Sequence, residues 1–285
     1  MLKKRLITAL WGIPLLVATI WFDTPLPWFT ILVAICGVLA VFEFYRLVAA
    51  SAVPPLTYFG LIWTLLFIVG RHSDLLSTLE PHFDLNLITP LLLTSAVMLP
   101  LIWLLRRGPQ EKAFASWAWT IAGILYVGWL LSHLVAVRGL DDGRNWVFLA
   151  LFTTFAADTT AFFAGRAFGR HLLAPRISPG KTWEGAIAGV FGAILVSLFF
   201  TLPELFAVSN PLHLQQLACW QAILLGLLVS IFGQLGDLVE SLFKRNMGVK
   251  DSSQLIPGHG GVLDRMDSVI FTCIVVYYYV IWVVQ

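Results

Sequence analysis

Charge is what this chain has least of. Among 285 residues there are 18 Lys and Arg and 16 Asp and Glu, 12% in all, where soluble domains carry about 25%. That shortage, beside 59% hydrophobic residues, excludes an ordinary soluble globule and puts the chain in the membrane class. Cysteine is scarce as well. Cys36, Cys219 and Cys273 each sit inside an apolar run. An odd count with no paired spacing makes neither a disulfide framework nor a zinc site, which leaves small buried hydrophobes. No internal repeat and no low-complexity tract is evident, and no polar stretch is long enough for a sizeable soluble domain. No nucleic-acid partner is expected.

What is abundant is apolar sequence in long runs. A bilayer core of about 30 Å takes about 20 residues of helix. Runs near that length fall at 6–22, 26–45, 56–70, 87–105, 113–137, 146–165, 183–202, 218–243 and 266–284. Backbone in lipid must satisfy its own hydrogen bonds, so these read as helices. The expected fold is all-α, a polytopic integral membrane bundle of about nine transmembrane helices. The start, "MLKKRLITALWGIPLLVATIWF", has the basic end and apolar run of a signal peptide but no clear cleavage site, and reads as a retained first helix. With the amino terminus cytoplasmic and every run crossing, fifteen of the eighteen Lys and Arg fall on the cytoplasmic side. Only Arg71, Arg138 and Arg144 fall outside, the bias that the positive-inside rule demands. The outer loop at 71–86 is acidic, and the outer loop at 203–217 has no Lys or Arg. Two cytoplasmic loops are both long and polar, 166–182 and 244–265.

Three places carry carboxylates at or near membrane depth. Asp158, in "FTTFAADTTAFFAG", lies about 18 Å along its run, where an aspartate costs about 2.5–3.5 kcal/mol. It serves either a structural ion pair or a polar cavity lined with Thr159 and Thr160. Asp237, Glu240, Ser241 and Lys244 follow i, i+3, i+4, i+7 spacing and so share one helix face. Asp264, Asp267 and Ser268 repeat the pattern of Asp237, Glu240 and Ser241 at the start of the next helix. Hard oxygen ligands, few in number, suit Mg²⁺ with water and phosphate completing its shell. A pair of cations about 3.5–4 Å apart would suit a phosphoryl displacement.

Between these acids lies the other half of a phosphate site. "PGHGG" (257–261) allows close backbone approach and an anion-binding nest of N–H groups. Lys244, Arg245, Lys250 and Arg265 surround it. Together these form a metal–polyphosphate site at the bilayer edge. "PGKT" (179–182) is not a P-loop, because Pro175 stands where the fingerprint needs glycine. It still places Lys181 and Thr182 at a helix start, which favours an anion; a plain helix start with Lys181 as a membrane anchor fits equally. "DDGRN" (141–145) imitates an Asp-rich prenyl-transferase motif only superficially.

The segment from Ser241 to Asp267 resembles the signature of the phosphatidate cytidylyltransferases, the CDP-diacylglycerol synthases. The pattern is met at Ser241, Phe243, Lys244, Arg245, Lys250, Asp251, Ser253, Ile256, Pro257, His259, Gly260, Gly261, Val262, Asp264, Arg265, Met266 and Asp267, without departure. The resemblance covers about 156–267 and looks like the bacterial, enterobacterial form. It implies that CTP and phosphatidate give CDP-diacylglycerol and pyrophosphate with Mg²⁺, a second cation being possible, in phospholipid biosynthesis. It also implies that Asp237 and Asp264 hold the cations, that the enzyme is a homodimer, and that it lies in the bacterial inner membrane. The chain 1–285 then reads as a single membrane domain, with amino-terminal helices in 1–145 and catalytic helices and cytoplasmic loops in 146–285.

Phosphatidate's phosphate is largely dianionic at neutral pH and needs no base, so catalysis reduces to positioning and charge neutralisation. Asp237 and Asp264 are assigned to the cations, with Asp267 and Glu240 as additional or supporting ligands. Lys244, Arg245, Lys250 and Arg265 form the phosphate clamp, with Lys181 a weaker candidate. Ser241 belongs to the substrate site, and His259, Gly260 and Gly261 shape the nucleotide loop. Two rivals remain: a CTP-dependent polyprenol kinase, which would not release pyrophosphate, and an ion-coupled transporter using Asp158 and Asp237, which would show flux and no chemistry.

Overall fold

The computed structural model describes residues 2–23, 26–72, 87–108, 111–202, 210–256 and 260–285. Among these residues, a helical rod lies on each of the nine apolar runs. They are α1 (Leu2–Trp21), α2 (Trp28–Ala50), α3 (Thr57–Val69) and α4 (Ile88–Arg107). A fifth rod joins α5 (Ala113–Gly123) to α6 (Leu130–Arg138) through a π-helical stretch, Ile124–Trp129. Then come α7 (Gly143–Phe168), α8 (Trp183–Phe199), α9 (Cys219–Asn246) and α10 (Leu263–Tyr279), the last ending in a π-helical turn, Val280–Val284. Six of the rods are long and apolar enough to cross a membrane by length and composition. The apolar part of α1, and all of α3 and α8, are shorter. At 13 residues, α3 extends about 20 Å, short of a bilayer core of about 30 Å. Large apolar side chains stand fully outward, Trp11, Phe191, Leu195 and Trp282 among them. No water-soluble protein gains by exposing them in such numbers. The chain is an all-α polytopic membrane protein.

One departure from all-helical structure lies in the loop at 166–182. It folds into an antiparallel hairpin of β1 (Leu172–Ala174) and β2 (Ser178–Thr182), with Leu172 opposite Thr182 and Ala174 opposite Ser178. The loop has no apolar periodicity for a helix, and Pro175 and Pro179 deny it helical hydrogen bonds.

The chain divides into two compact units. The first comprises Met1–Gly139 and Met247–Met266. Here Tyr45 on α2 donates through its hydroxyl to the Thr120 carbonyl at 2.7 Å, and the Leu56 amide donates to the Thr120 hydroxyl at 2.8 Å. A side chain inserted into a helical ladder is a recognised cause of irregularity, and the π-helical stretch begins four residues later. The turn before α2 is held by Asp23, which accepts from the Phe29 amide at 3.0 Å and pairs with Arg138 at 3.5 Å.

The second unit comprises Leu140–Asn246 and Asp267–Gln285. Small residues let α7 and α8 approach closely, as is common in membrane helices. A Cβ on Gly185 would stand 2.6 Å from the Ala161 carbonyl oxygen. Polar side chains tie the other helices across their apolar faces. Thr154 meets Thr272 at 2.9 Å, Gln234 donates to the Ala186 carbonyl at 3.2 Å, and Tyr279 donates to the Gln221 carbonyl at 2.9 Å.

Candidate active site

The residues singled out in the sequence fall into both units, and each cluster stands by itself. In the second unit the polar face of α9 is real. The Ser241 hydroxyl donates to Asp237 at 3.2 Å, one turn apart. Glu240 is fully buried and forms an ion pair with Lys244, also one turn on. A buried carboxylate needs such a partner, because an unpaired charge away from water costs several kcal/mol. Two charges assigned separately to metal and to phosphate therefore face each other here.

The hairpin brings a third element to this face. The Lys181 ammonium lies 2.8 Å from Asp237 and 3.4 Å from the Gln234 carbonyl oxygen. Lys181 owes its position to the start of α8. The Thr182 hydroxyl caps that helix by accepting from the Gly185 amide at 3.2 Å. His171 closes the hairpin base, meeting Glu184 at 2.6 Å, while its carbonyl accepts from the Trp183 amide at 2.9 Å. Arg245 reaches the same hairpin, donating to the Ile177 carbonyl at 3.3 Å.

Asp158 joins this neighbourhood from α7. Its carboxyl lies near the Ser268 hydroxyl and within electrostatic reach of Asp237 and Lys181. Asp267 likewise feels the charges of Asp237, Asp158 and Lys244. Thus α7, α9 and α10 each contribute one aspartate to a single acidic region bordered by two lysines. A third of the Asp237 side chain is exposed. Carboxylate oxygens with an open approach fit a hard divalent cation. Among the described residues, however, no three His, Cys, Asp or Glu side chains converge on one metal-sized point. The donors present suit an ion that keeps water or phosphate oxygens in its shell, which is how Mg²⁺ is usually held.

In the first unit the signature loop is built around Asp264. Its carboxylate accepts from the Gly261 amide at 2.8 Å, from the Ser252 amide at 3.0 Å and from the Ser252 hydroxyl at 3.0 Å. Gly260 has φ +84°, a conformation that side chains rarely adopt, and the Ile256 amide donates to its carbonyl at 2.9 Å. Lys250 and Arg265 are exposed on this loop. His259 lies outside the described residues.

One residue in this cluster escaped the sequence reading. Glu43, on α2, is buried to 3% exposure. It accepts from the Ser253 hydroxyl, the Val262 amide at 3.1 Å and the Leu263 amide at 2.9 Å, and lies 2.9 Å from the Ser252 hydroxyl, whose one proton it shares with Asp264. The signal was available: a lone ionisable residue inside a membrane run is costly and marks a partner or a site. The rule that singles out Asp158 applies equally to "AVFEFYR" (40–46).

The fold and these clusters define a polytopic helical membrane protein with a cluster of acidic and basic side chains in one unit and a glycine-containing loop held on Asp264 in the other. The family model described as the cytidylyltransferase family matches residues 3–283, and the chain belongs to that family. A phosphatidate cytidylyltransferase of Haemophilus influenzae is 34% identical over 94% of both chains. One of Bacillus subtilis is 31% identical over 88% of this chain and 87% of its own. A Staphylococcus haemolyticus protein of the same name is 42% identical over 159 residues, and there the chain spans only 57% of the relative's length.

Proposed function

We propose that this chain transfers the CMP moiety of CTP to phosphatidate, releasing pyrophosphate and leaving CDP-diacylglycerol in the membrane. The observation that carries this reading is the unbroken signature from Ser241 to Asp267 in a chain whose full-length relatives bear that name. A phosphate oxygen of phosphatidate forms a bond to the α-phosphorus of CTP. The bond from that phosphorus to the bridging oxygen breaks, and the electron pair leaves with pyrophosphate. The attacking oxygen already lacks its proton at neutral pH, so no general base is required and His259 is left to shape the loop.

The protein's work is therefore to position two anions and offset their repulsion. Bound Mg²⁺ would supply the charge that brings the polyanions together. Asp237 and Asp264 are assigned as its ligands, with Asp267 and Glu240 in support and a second cation admissible. Lys244, Arg245, Lys250, Arg265 and Lys181 are assigned to the phosphates, with Ser241, Gly260 and Gly261 completing the substrate contacts. The Lys181–Asp237 pair supports this. A lysine already on a metal-ligand carboxylate can turn to a phosphate when a cation takes its place, at no net loss of neutralisation. We place the site on the cytoplasmic side of a bacterial inner membrane, with the amino terminus also inside, because that orientation puts fifteen of eighteen Lys and Arg inside. The working form is assigned as a homodimer.

Membranes containing the protein, given phosphatidate, CTP labelled in the α-phosphate and Mg²⁺, should yield a labelled lipid and one pyrophosphate per turnover. A labelled CDP with an unlabelled lipid product would point to a lipid kinase and sink the proposal. Substrate flux across vesicles without chemistry would point to a transporter and sink it equally.

A further inference from the structure

We propose that Glu43 is a positioning residue for this reaction. It holds Ser252, Ser253, Val262 and Leu263 so that the Asp264 carboxylate stands in its working orientation. The proposal rests on the function assigned above, and goes beyond it by bringing an amino-terminal helix into the machinery.

An ionised carboxylate offers about four acceptor positions, and four donor groups face Glu43, one of them the Ser252 hydroxyl, whose single proton it shares with Asp264. Leu263 and Ser252 serve one oxygen, and Val262 and Ser253 the other. All four come from one stretch of a dozen residues, more than two hundred positions away in sequence. Two of them, the Val262 and Leu263 amides, lie at the start of α10. Such amides have no partner within their own helix, and a negative charge there is favoured by the helix dipole. Glu43 thus caps α10 from another helix.

The link to Asp264 runs through Ser252. Its amide donates to Asp264, and its hydroxyl lies 2.9 Å from Glu43 and 3.0 Å from Asp264. Gly261, whose amide also holds Asp264, packs so closely here that a Cβ on it would run into the Ser252 hydroxyl and the Glu43 carboxylate. The hydrogen bonds that Ser252 and Gly261 give to Asp264 therefore come from one residue in contact with Glu43 and one packed against it. A merely structural acid would need burial and partners. It would not need its partners to be the groups that aim another carboxylate.

The test uses the full-length protein, purified in mixed micelles. Glu43→Gln keeps the shape but presents an amide to two of the four donors. We expect kcat to fall at least about tenfold, with KM for phosphatidate within about twofold and the thermal midpoint close to that of the unaltered protein. Glu43→Asp should recover part of the loss. The Val262 and Leu263 amides should lose hydrogen-exchange protection in Glu43→Gln. That arm needs no turnover, so it separates failure of this proposal from failure of the proposed reaction. A kcat per folded molecule within about twofold of the unaltered protein, or unchanged protection of both amides, overturns the proposal. If Glu43→Gln does not accumulate, Ser253→Ala removes a single donor. A several-fold fall in kcat at unchanged midpoint supports the assignment, and an unaltered kcat overturns it.

Discussion

Two carboxylates that the resemblance assigns to the cations, Asp237 and Asp264, are held in different ways. Asp237 is bound by side chains: the Lys181 ammonium and the Ser241 hydroxyl, on a carboxylate that is partly open. Asp264 is bound largely by backbone: the amides of Ser252 and Gly261, with the Ser252 hydroxyl. Side chains can rotate away to new partners at small cost, whereas backbone amides move only if the loop moves. Two acids that the resemblance implies as metal ligands therefore differ in their partners. Asp237 meets side chains that another charge could displace, and Asp264 ties the Ser252 and Gly261 amides together.

The sharpest way to break that contrast is to neutralise each in turn. Asp237→Asn should lower turnover by two orders of magnitude or more, about 3 kcal/mol or more of transition-state stabilisation, with an unchanged thermal midpoint. Asp264→Asn should lower turnover as far and also destabilise the protein, by roughly 1–3 kcal/mol, because an amide nitrogen then faces backbone donors. Paired steady-state kinetics and thermal unfolding of the solubilised variants read both effects. Equal stability in the two variants would erase the distinction.

A smaller effect is expected at Lys181. Lys181→Met removes the ammonium beside Asp237 but keeps much of the stem. If Lys181 moves between carboxylate and phosphate, KM for CTP should rise about tenfold while the Mg²⁺ concentration for half-maximal rate falls. Titrating both ligands at fixed phosphatidate tests this, and a rise in the Mg²⁺ requirement would make Lys181 a plain ion-pair partner. The smallest effect belongs to the scaffold under it. Thr182→Val removes the cap on α8 and should cost about 1 kcal/mol of stability, seen as a lowered thermal midpoint, with KM for CTP shifting less than in Lys181→Met.

Much of the architecture was legible beforehand because lipid simplifies the problem. A run of apolar residues in a bilayer has little choice but helix, and helical rods occupy the runs at 26–45, 146–165 and 218–243. The polar face of α9 was legible for the same local reason: i and i+4 must meet, and Ser241 meets Asp237 while Lys244 meets Glu240. The hairpin at 172–182 was not, since two short strands closed by Pro-containing turns carry almost no periodicity. Glu43 was missed because it looks like one charge in an oily helix until its partners are known. The roles of Lys181 and Asp158 were open alternatives for a like reason. Nothing near either in sequence names the carboxylate or hydroxyl it meets.

From its residues alone the chain is marked as a membrane protein, its helical runs are set, and the cytidylyltransferase motif is complete. These follow from properties that neighbours in sequence share: hydropathy, helical spacing and a contiguous signature. Which charge faces which was decided only by tertiary structure. Lys181 reaches Asp237 from another element, and Glu43 takes the amides of Val262 and Leu263 from the far end of the chain. In an apolar surrounding a buried charge must find a partner wherever the fold provides one. Distance along the chain places no limit on where that partner comes from.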